Sequence, residues 1–214
     1  GYSDVTVLNN AILAKTGLIT YSGPHFSSFS MEKGFGYTLE HFRRCFFLED
    51  EYEVSISEQW SDDAWYLDQE NRCFIDNSGP IIFNGEGENV SGRVIGGNIG
   101  CFQALQGTQF FPDIENSVLF LEADEEISPE IFDRHLQSLI HHEDFVNVKA
   151  LLIGRFPIKC GMDNHKLESI LKTKEKLNFI PTAYNLDFGH TTPIFTFPVG
   201  GTVTVSFNTK KLKV

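Results

Sequence analysis

The chain has 214 residues, 41% hydrophobic and 21% charged, which is enough apolar material for a sizeable core and too little charge for a disordered polymer. A formal net charge of −12 excludes nucleic acid as the expected partner, because a phosphate backbone is bound by basic stripes and Arg43-Arg44 and Lys210-Lys211-Leu212-Lys213 are short clusters among acids. Cys45, Cys73, Cys101 and Cys160 form no C-x-x-C pair and no apolar run can cross a bilayer, so a soluble, cytoplasmic protein without disulfides, structural zinc or a membrane partner is expected.

Over residues 4–15, Val5, Leu8, Ala11 and Ile12 share one helical face, and Gly17 follows as the stop. Leu18-Ile19-Thr20-Tyr21 reads as a short strand ended by Gly23-Pro24. Residues 38–49 form a second amphipathic pattern, with Leu39, Phe42, Phe46 and Phe47 as its expected buried side. Residues 50–92 turn acidic, aromatic and glycine-rich, with alternation at Tyr52-Glu53-Val54-Ser55-Ile56. They predict an irregular, strand-containing connection between two compact parts. Regular structure resumes at Arg93-Val94-Ile95-Gly96-Gly97-Asn98, and Val118-Leu119-Phe120-Leu121 has the run of a buried strand.

Ser128-Pro129-Glu130 then supplies a capping hydroxyl and a proline at the first helical position, ahead of the stripe Phe132, Leu136, Leu139 and Ile140. Ala150-Leu151-Leu152-Ile153-Gly154 reads as another buried strand, residues 167–177 as another helix, and residues 194–207 as a β-hairpin around Gly200-Gly201. Strands alternating with helices make the fold α/β, with an antiparallel element at its end.

Three segments carry candidate chemistry. Ser3, in Gly1-Tyr2-Ser3-Asp4, stands where backbone N–H groups point out of a helix N-terminus and stabilise an oxyanion; the same pattern is that of a plain N-cap. Glu122 follows the apolar Leu119-Phe120-Leu121, at the strand end where α/β proteins place working residues, and it also reads as a solvated acid beside Asp124, Glu125 and Glu126. His190, in Asp187-Phe188-Gly189-His190-Thr191-Thr192-Pro193, lies in a tight loop and by itself reads as a surface histidine. His135, His141, His142 and His165 lack the i, i+4 pair of a zinc helix, so no metal or other cofactor is expected.

Taken in order, these segments resemble the LD-carboxypeptidase and microcin-immunity family of serine peptidases. Gly1-Tyr2-Ser3-Asp4-Val5-Thr6, followed by Thr16-Gly17-Leu18-Ile19-Thr20-Tyr21-Ser22-Gly23-Pro24, is similar to its nucleophile helix and next strand. Gly96-Gly97-Asn98 resembles its glycine-glycine-asparagine turn, Leu119-Phe120-Leu121-Glu122 its glutamate strand, and Gly189-His190-Thr191-Thr192-Pro193 its histidine loop. The resemblance implies Ser3 as nucleophile, His190 as general base and then acid, Glu122 as its orienter, and the Asp4 backbone N–H as an oxyanion donor. It implies the remainder of a Rossmann-like nucleophile domain over residues 1–49, the connection at 50–92, and a swivelling β/β/α-type C-terminal domain over 93–214 that carries Glu122 and His190. It also implies a homodimer. With no initiator Met and an opening inside the first motif, the chain reads as the C-terminal two-thirds of such an enzyme, inactive alone, from a parent that supplies a second oxyanion donor.

Ser57-Glu58-Gln59-Trp60-Ser61-Asp62-Asp63-Ala64-Trp65-Tyr66 resembles the aromatic insertion of the immunity branch, which cuts an amide joining an aminoacyl or peptidyl group to a nucleotide-like moiety. Trp65 first and Trp60 second are the candidates to stack on the base, and each is also a candidate for plain packing. Asn98 either contacts substrate or only holds the Gly96-Gly97 turn. The alternatives are an LD-carboxypeptidase that removes the terminal D-alanine of a murein tetrapeptide, and a module that binds a small peptide or peptidyl-nucleotide without cutting it.

Overall fold

The computed structural model describes residues 1–48, 51–209 and 211–214. Helix α1 (Val5–Thr16) stops at Gly17, whose φ of 72° lets its N–H reach the Leu13 carbonyl at 2.9 Å. Its buried side differs from the expected one. Thr6, Asn9, Asn10 and Leu13 face inward, while Leu8 is 60% exposed. Asn10 is the reason: its amide donates to the Thr6 and Gly96 carbonyls at 2.8 and 2.9 Å and accepts from the Gly96 N–H at 3.2 Å. An apolar side chain there would leave those groups unpaired.

Strand β1 (Thr20–Ser22) follows, and α2 (Gly36–Phe47) repeats the inversion. Thr38 and His41 are buried, Leu39 and Phe42 are half-buried, and Phe46 and Phe47 are exposed. The expected end of this helix at Glu49 lies outside the described residues. Phe42 and Phe46 of α2 meet the surface rings of Phe29 and Tyr21, at 5.1 and 4.5 Å between centroids, while Leu8 and Ile12 of the α1 stripe stay exposed.

The next region carries β2 (Glu53–Val54), β3 (Gln59–Trp60), β4 (Ile75–Asp76) and β5 (Ile81–Asn84), and β6 (Asn89–Asn98) begins before the expected Arg93. Then come α3 (Ile99–Gln103), β7 (Ser117–Glu122), α4 (Pro129–Ile140), β8 (Ala150–Gly154) and α5 (Asn164–Lys172). The chain finishes with β9 (Thr182–Leu186), β10 (Phe197–Val199), β11 (Thr202–Ser206) and β12 (Lys211–Lys213). Ser128 caps α4 as expected, accepting from the Ile131 N–H at 3.4 Å. Helix α5 starts earlier and is shorter than expected. Asp163 caps it, and Leu177 belongs to a separate 3₁₀ turn, Glu175–Phe179.

Among the described residues, eight strands form one mixed sheet in the order β2-β12-β11-β6-β7-β8-β9-β5. Strands β6 to β9 are parallel neighbours, and antiparallel strands extend the sheet on both sides. Strands β7 and β8 are buried throughout, as continuous apolar runs in the middle of a parallel sheet should be. The α/β reading holds, but the hairpin around Gly200-Gly201 does not form. Strand β10 pairs with β1 in a small separate sheet, and β11 pairs with β6. Val94 bonds both glycines of the turn, donating to the Gly201 carbonyl and accepting from the Gly200 N–H, each at 2.8 Å, so the chain switches sheets there. Among the described residues no helix is long and apolar enough to cross a membrane.

Candidate active site

Strands β6 and β7 end side by side, with Asn98 opposite Glu122. Glu122 is 2% exposed and fits only because two neighbours lack a side chain. A Cβ on Gly154 would stand 3.0 Å from the Glu122 Cβ, and one on Gly189, where φ is 110°, would stand 2.8 Å away. His190 Nδ1 meets Glu122 Oε2 at 2.7 Å. A carboxylate accepts, so Nδ1 carries the proton and Nε2 is the basic nitrogen. Burial pulls the His190 pKa down, but the Glu122 carboxylate, by hydrogen bond and charge, and the nearby Asp124 and Glu125 outweigh it and raise the pKa above its ordinary value.

Ser3 stands at the bend into α1 with φ of 62°, a left-handed conformation that costs a residue bearing a Cβ about 1–3 kcal/mol. The Thr6 N–H closes on its carbonyl at 2.9 Å. The plain-cap reading of Ser3 finds no side-chain bond: the cap position is Asp4, whose carboxylate instead accepts the Cys101 thiol at 3.4 Å. The Asp4 backbone N–H, next to the Ser3 hydroxyl in the chain, donates to no group among the described residues. Helix α1 sits close to β6 because Gly97, with φ of 133°, leaves room for it; a Cβ there would stand 2.4 Å from Thr6 Oγ1. Thr6 in turn accepts the Asn98 N–H at 3.0 Å, which ties the serine helix to the end of the glutamate's neighbouring strand.

Ser3, Asp4, Trp65 and His190 line one cleft of about 450 Å³. Among the described residues no hydrogen bond joins Ser3 to His190, and such catalytic contacts often tighten only with substrate in place. The Tyr2 ring stands edge-on to His190, 4.9 Å between centroids and at 90°. Trp60 is elsewhere, with its ring 5.0 Å from the Arg155 guanidinium. Asn98 is 1% exposed; its amide donates to Asp124 at 2.8 Å and its Oδ1 caps α3 by accepting from the Cys101 N–H at 3.1 Å. It therefore holds an acid of the cleft from beneath.

Sequence reasoning assigned nothing to Arg155, Asp187 or Arg72. Arg155 Nη2 donates to Asp187 at 2.7 Å and to Asn77 at 2.9 Å, and Asp187 accepts from the Ser57 N–H and hydroxyl, both at 2.9 Å. This buried cluster pins the base of the histidine loop to the region that carries Trp60 and Trp65. Ser61 and Thr192 exchange backbone hydrogen bonds at 2.7 Å, and Arg72 bridges Asp63 and the Thr192 hydroxyl at 2.7 and 3.0 Å. One signal was present: Arg155 directly follows the apolar run Ala150-Leu151-Leu152-Ile153-Gly154.

Residues 91–205 match the LD-carboxypeptidase C-terminal domain. The chain is 50% identical over 202 residues to YocD of Bacillus subtilis (strain 168), which bears a provisional carboxypeptidase name; the match covers 94% of this chain and 62% of that protein. It is 30% identical over 227 residues to the microcin C7 self-immunity protein MccF of Escherichia coli, covering 100% of this chain and 64% of MccF. Among solved structures, an MccF-like protein from Bacillus anthracis str. Ames is similar with a TM-score of 0.95 at 44% identity, over 100% of this chain and 66% of that one. MccF in complex with glutamyl sulfamoyl guanosine is similar with a TM-score of 0.85 at 29% identity, over the same shares. The chain thus spans less than two thirds of the length of these relatives.

Proposed function

The chain belongs to the LD-carboxypeptidase family, and from that premise we propose that Ser3, His190 and Glu122 hydrolyse the amide between an aminoacyl or peptidyl group and a nucleotide-like moiety. The observation that carries this reading is the shared cleft, lined by the strained Ser3, by Trp65 and by His190, which is hydrogen-bonded behind it to the buried Glu122. His190 Nε2 takes the Ser3 hydroxyl proton as Oγ bonds to the carbonyl carbon, and the oxyanion is met by the Asp4 N–H. The C–N bond then breaks and the proton on Nε2 passes to the departing nitrogen. Water attacks the acyl-serine by the same route, with His190 taking its proton and returning one to Oγ as the acid leaves. Glu122 holds Nδ1–H and stabilises the imidazolium in both halves.

Trp65 offers the base a stacking face worth about 1–3 kcal/mol. The ligand of MccF, glutamyl sulfamoyl guanosine, is an aminoacyl group joined to a nucleoside, which is the class this cleft would take. On the same reading residues 1–49 are the end of a nucleophile domain whose remainder covers Leu8, Leu18, Ile19 and Phe47, all at least half exposed here. Residues 1–214 alone are then expected to be inactive.

The provisional carboxypeptidase name of YocD favours one other reading, removal of a C-terminal residue, for which we take the terminal D-alanine of a murein tetrapeptide as the substrate. Offering the full-length protein an aminoacyl sulfamoyl adenosine and such a tetrapeptide separates the two. Cleavage of the nucleoside conjugate supports the proposal, and cleavage of the tetrapeptide alone replaces it. Binding without cleavage, and without fluorophosphonate labelling of Ser3, would make the protein a binding module.

A further inference from the structure

The cleft that holds Ser3 and His190 carries a charge that amide hydrolysis by itself does not need. Asp4, Asp62, Asp63, Asp124, Glu125 and Glu126 all line it. Arg72 Nε meets Asp63 at 2.7 Å, and Lys159 Nζ meets Glu125 at 3.1 Å. The other acids, Asp4, Asp62, Asp124 and Glu126, have no cationic partner among the described residues; Asp4, Asp62 and Asp124 accept only from neutral groups.

Asp62 and Asp124 are half-buried and held in place. The Ile158 N–H donates to Asp62 Oδ2 at 2.7 Å, and Asp124 accepts from the Asn98 amide and the Glu126 N–H, each at 2.8 Å. Neutral donors orient a carboxylate without cancelling its charge. The field of these acids reaches the reacting pair, since Asp124 and Glu125 help to hold the His190 pKa above its ordinary value. Like charges gathered on a concave wall focus their field on whatever enters. The same cavity also presents a serine hydroxyl, a histidine bonded to a carboxylate and an indole, which point to an organic substrate independently of the charge. An α-ammonium on the acyl group answers one of the unpartnered acids, and a basic side chain answers a second. A carboxylate, such as the glutamyl group in the ligand of MccF, would meet like charge here.

We infer that this cleft selects an acyl group with a basic side chain, lysyl or arginyl, whose ammonium or guanidinium lies among Asp62, Asp124 and Glu126. The inference rests on the reading of the cleft as an amidase, and it names the acyl group that this amidase prefers.

The test offers the full-length protein lysyl, norleucyl and glutamyl sulfamoyl adenosine; norleucyl keeps the lysyl carbon chain and lacks its ammonium. The expected order of kcat/KM is lysyl, norleucyl, glutamyl, in steps of about tenfold that shrink as salt is raised. In the Asp62→Asn, Glu126→Gln double variant the amides keep the shape of the wall and remove two charges. Lysyl is expected to lose its lead over norleucyl there, and glutamyl turnover to rise by about tenfold, a gain that damage to the fold would not produce. An equal or reversed order in the unmodified protein, or an order that neither salt nor the double variant alters, overturns the inference and leaves the amidase reading standing. If no conjugate is cleaved, the amidase reading fails instead, and calorimetry of the lysyl and glutamyl conjugates with the Ser3→Ala protein decides the charge preference. Tighter binding of the lysyl conjugate supports it; equal binding, no binding or tighter binding of the glutamyl conjugate overturns it.

Discussion

On the proposed mechanism His190 serves as a base only while its Nε2 is unprotonated, and the carboxylates around it make protonation easier. Activity should therefore fall as pH drops through a pKa held above the ordinary histidine value by Glu122, Asp124 and Glu125. Glu125→Gln removes one of those charges, lowers that pKa and should move the acid limb of kcat/KM to lower pH. A limb that stays or moves upward in the pH–rate profile would show that Glu125 does not act on His190. Gly189→Ala places a Cβ 2.8 Å from the Glu122 side chain in a backbone region that favours glycine. It should reduce kcat by on the order of 100-fold through a displaced His190–Glu122 pair, with the fold retained by circular dichroism. At this scale four ordered motifs taken together pointed to Ser3, Glu122 and His190, and the fold bonds His190 to Glu122 and lines one cleft with Ser3 and His190. The left-handed φ of Ser3 was not, because nothing in Gly1-Tyr2-Ser3-Asp4 distinguishes a strained bend from a plain cap. The resemblance put Trp65 ahead of Trp60 as the stacking candidate, and the fold lines the cleft with Trp65 and sends Trp60 toward Arg155.

The elements show where periodicity misleads. Helices α1 and α2 lie close to where their patterns predicted, but their apolar stripes point outward, since periodicity gives a face and says nothing of which neighbour it meets. Asn10→Leu puts an apolar side chain on the side that is buried. It should nevertheless destabilise the protein by about 1–3 kcal/mol in urea titration, because the Gly96 backbone loses both partners. The Gly200-Gly201 turn was legible as a turn, while its change of sheet depends on Val94, a residue far away in sequence. The cluster around Arg155 and Asp187 joins three separate segments and leaves little trace in any one of them. Asp187→Ala leaves the buried Arg155 without its counter-charge and should cost about 3–5 kcal/mol in the same titration. A loss well under 1 kcal/mol would mean that the cluster does not anchor the histidine loop.

Across the whole molecule, one mixed sheet carries Glu122 on its central strand and the histidine loop beyond β9, while α1 brings Ser3 from outside that sheet. The cleft forms where these parts meet, with the Trp65 segment bonded to the histidine loop as its other wall. The alternation of strand and helix patterns made the α/β class legible, and the central apolar strands read correctly because burial on both faces writes itself as an unbroken run. The short strand β12 was not legible, since three residues hold no periodicity. The measurement that bears most directly on the central claim is release of the nucleoside from an aminoacyl sulfamoyl adenosine by the full-length protein and by its Ser3→Ala variant. The account predicts turnover that falls by on the order of 10⁴-fold or more in Ser3→Ala. Turnover that survives the substitution would contradict it and take the nucleophile away from Ser3.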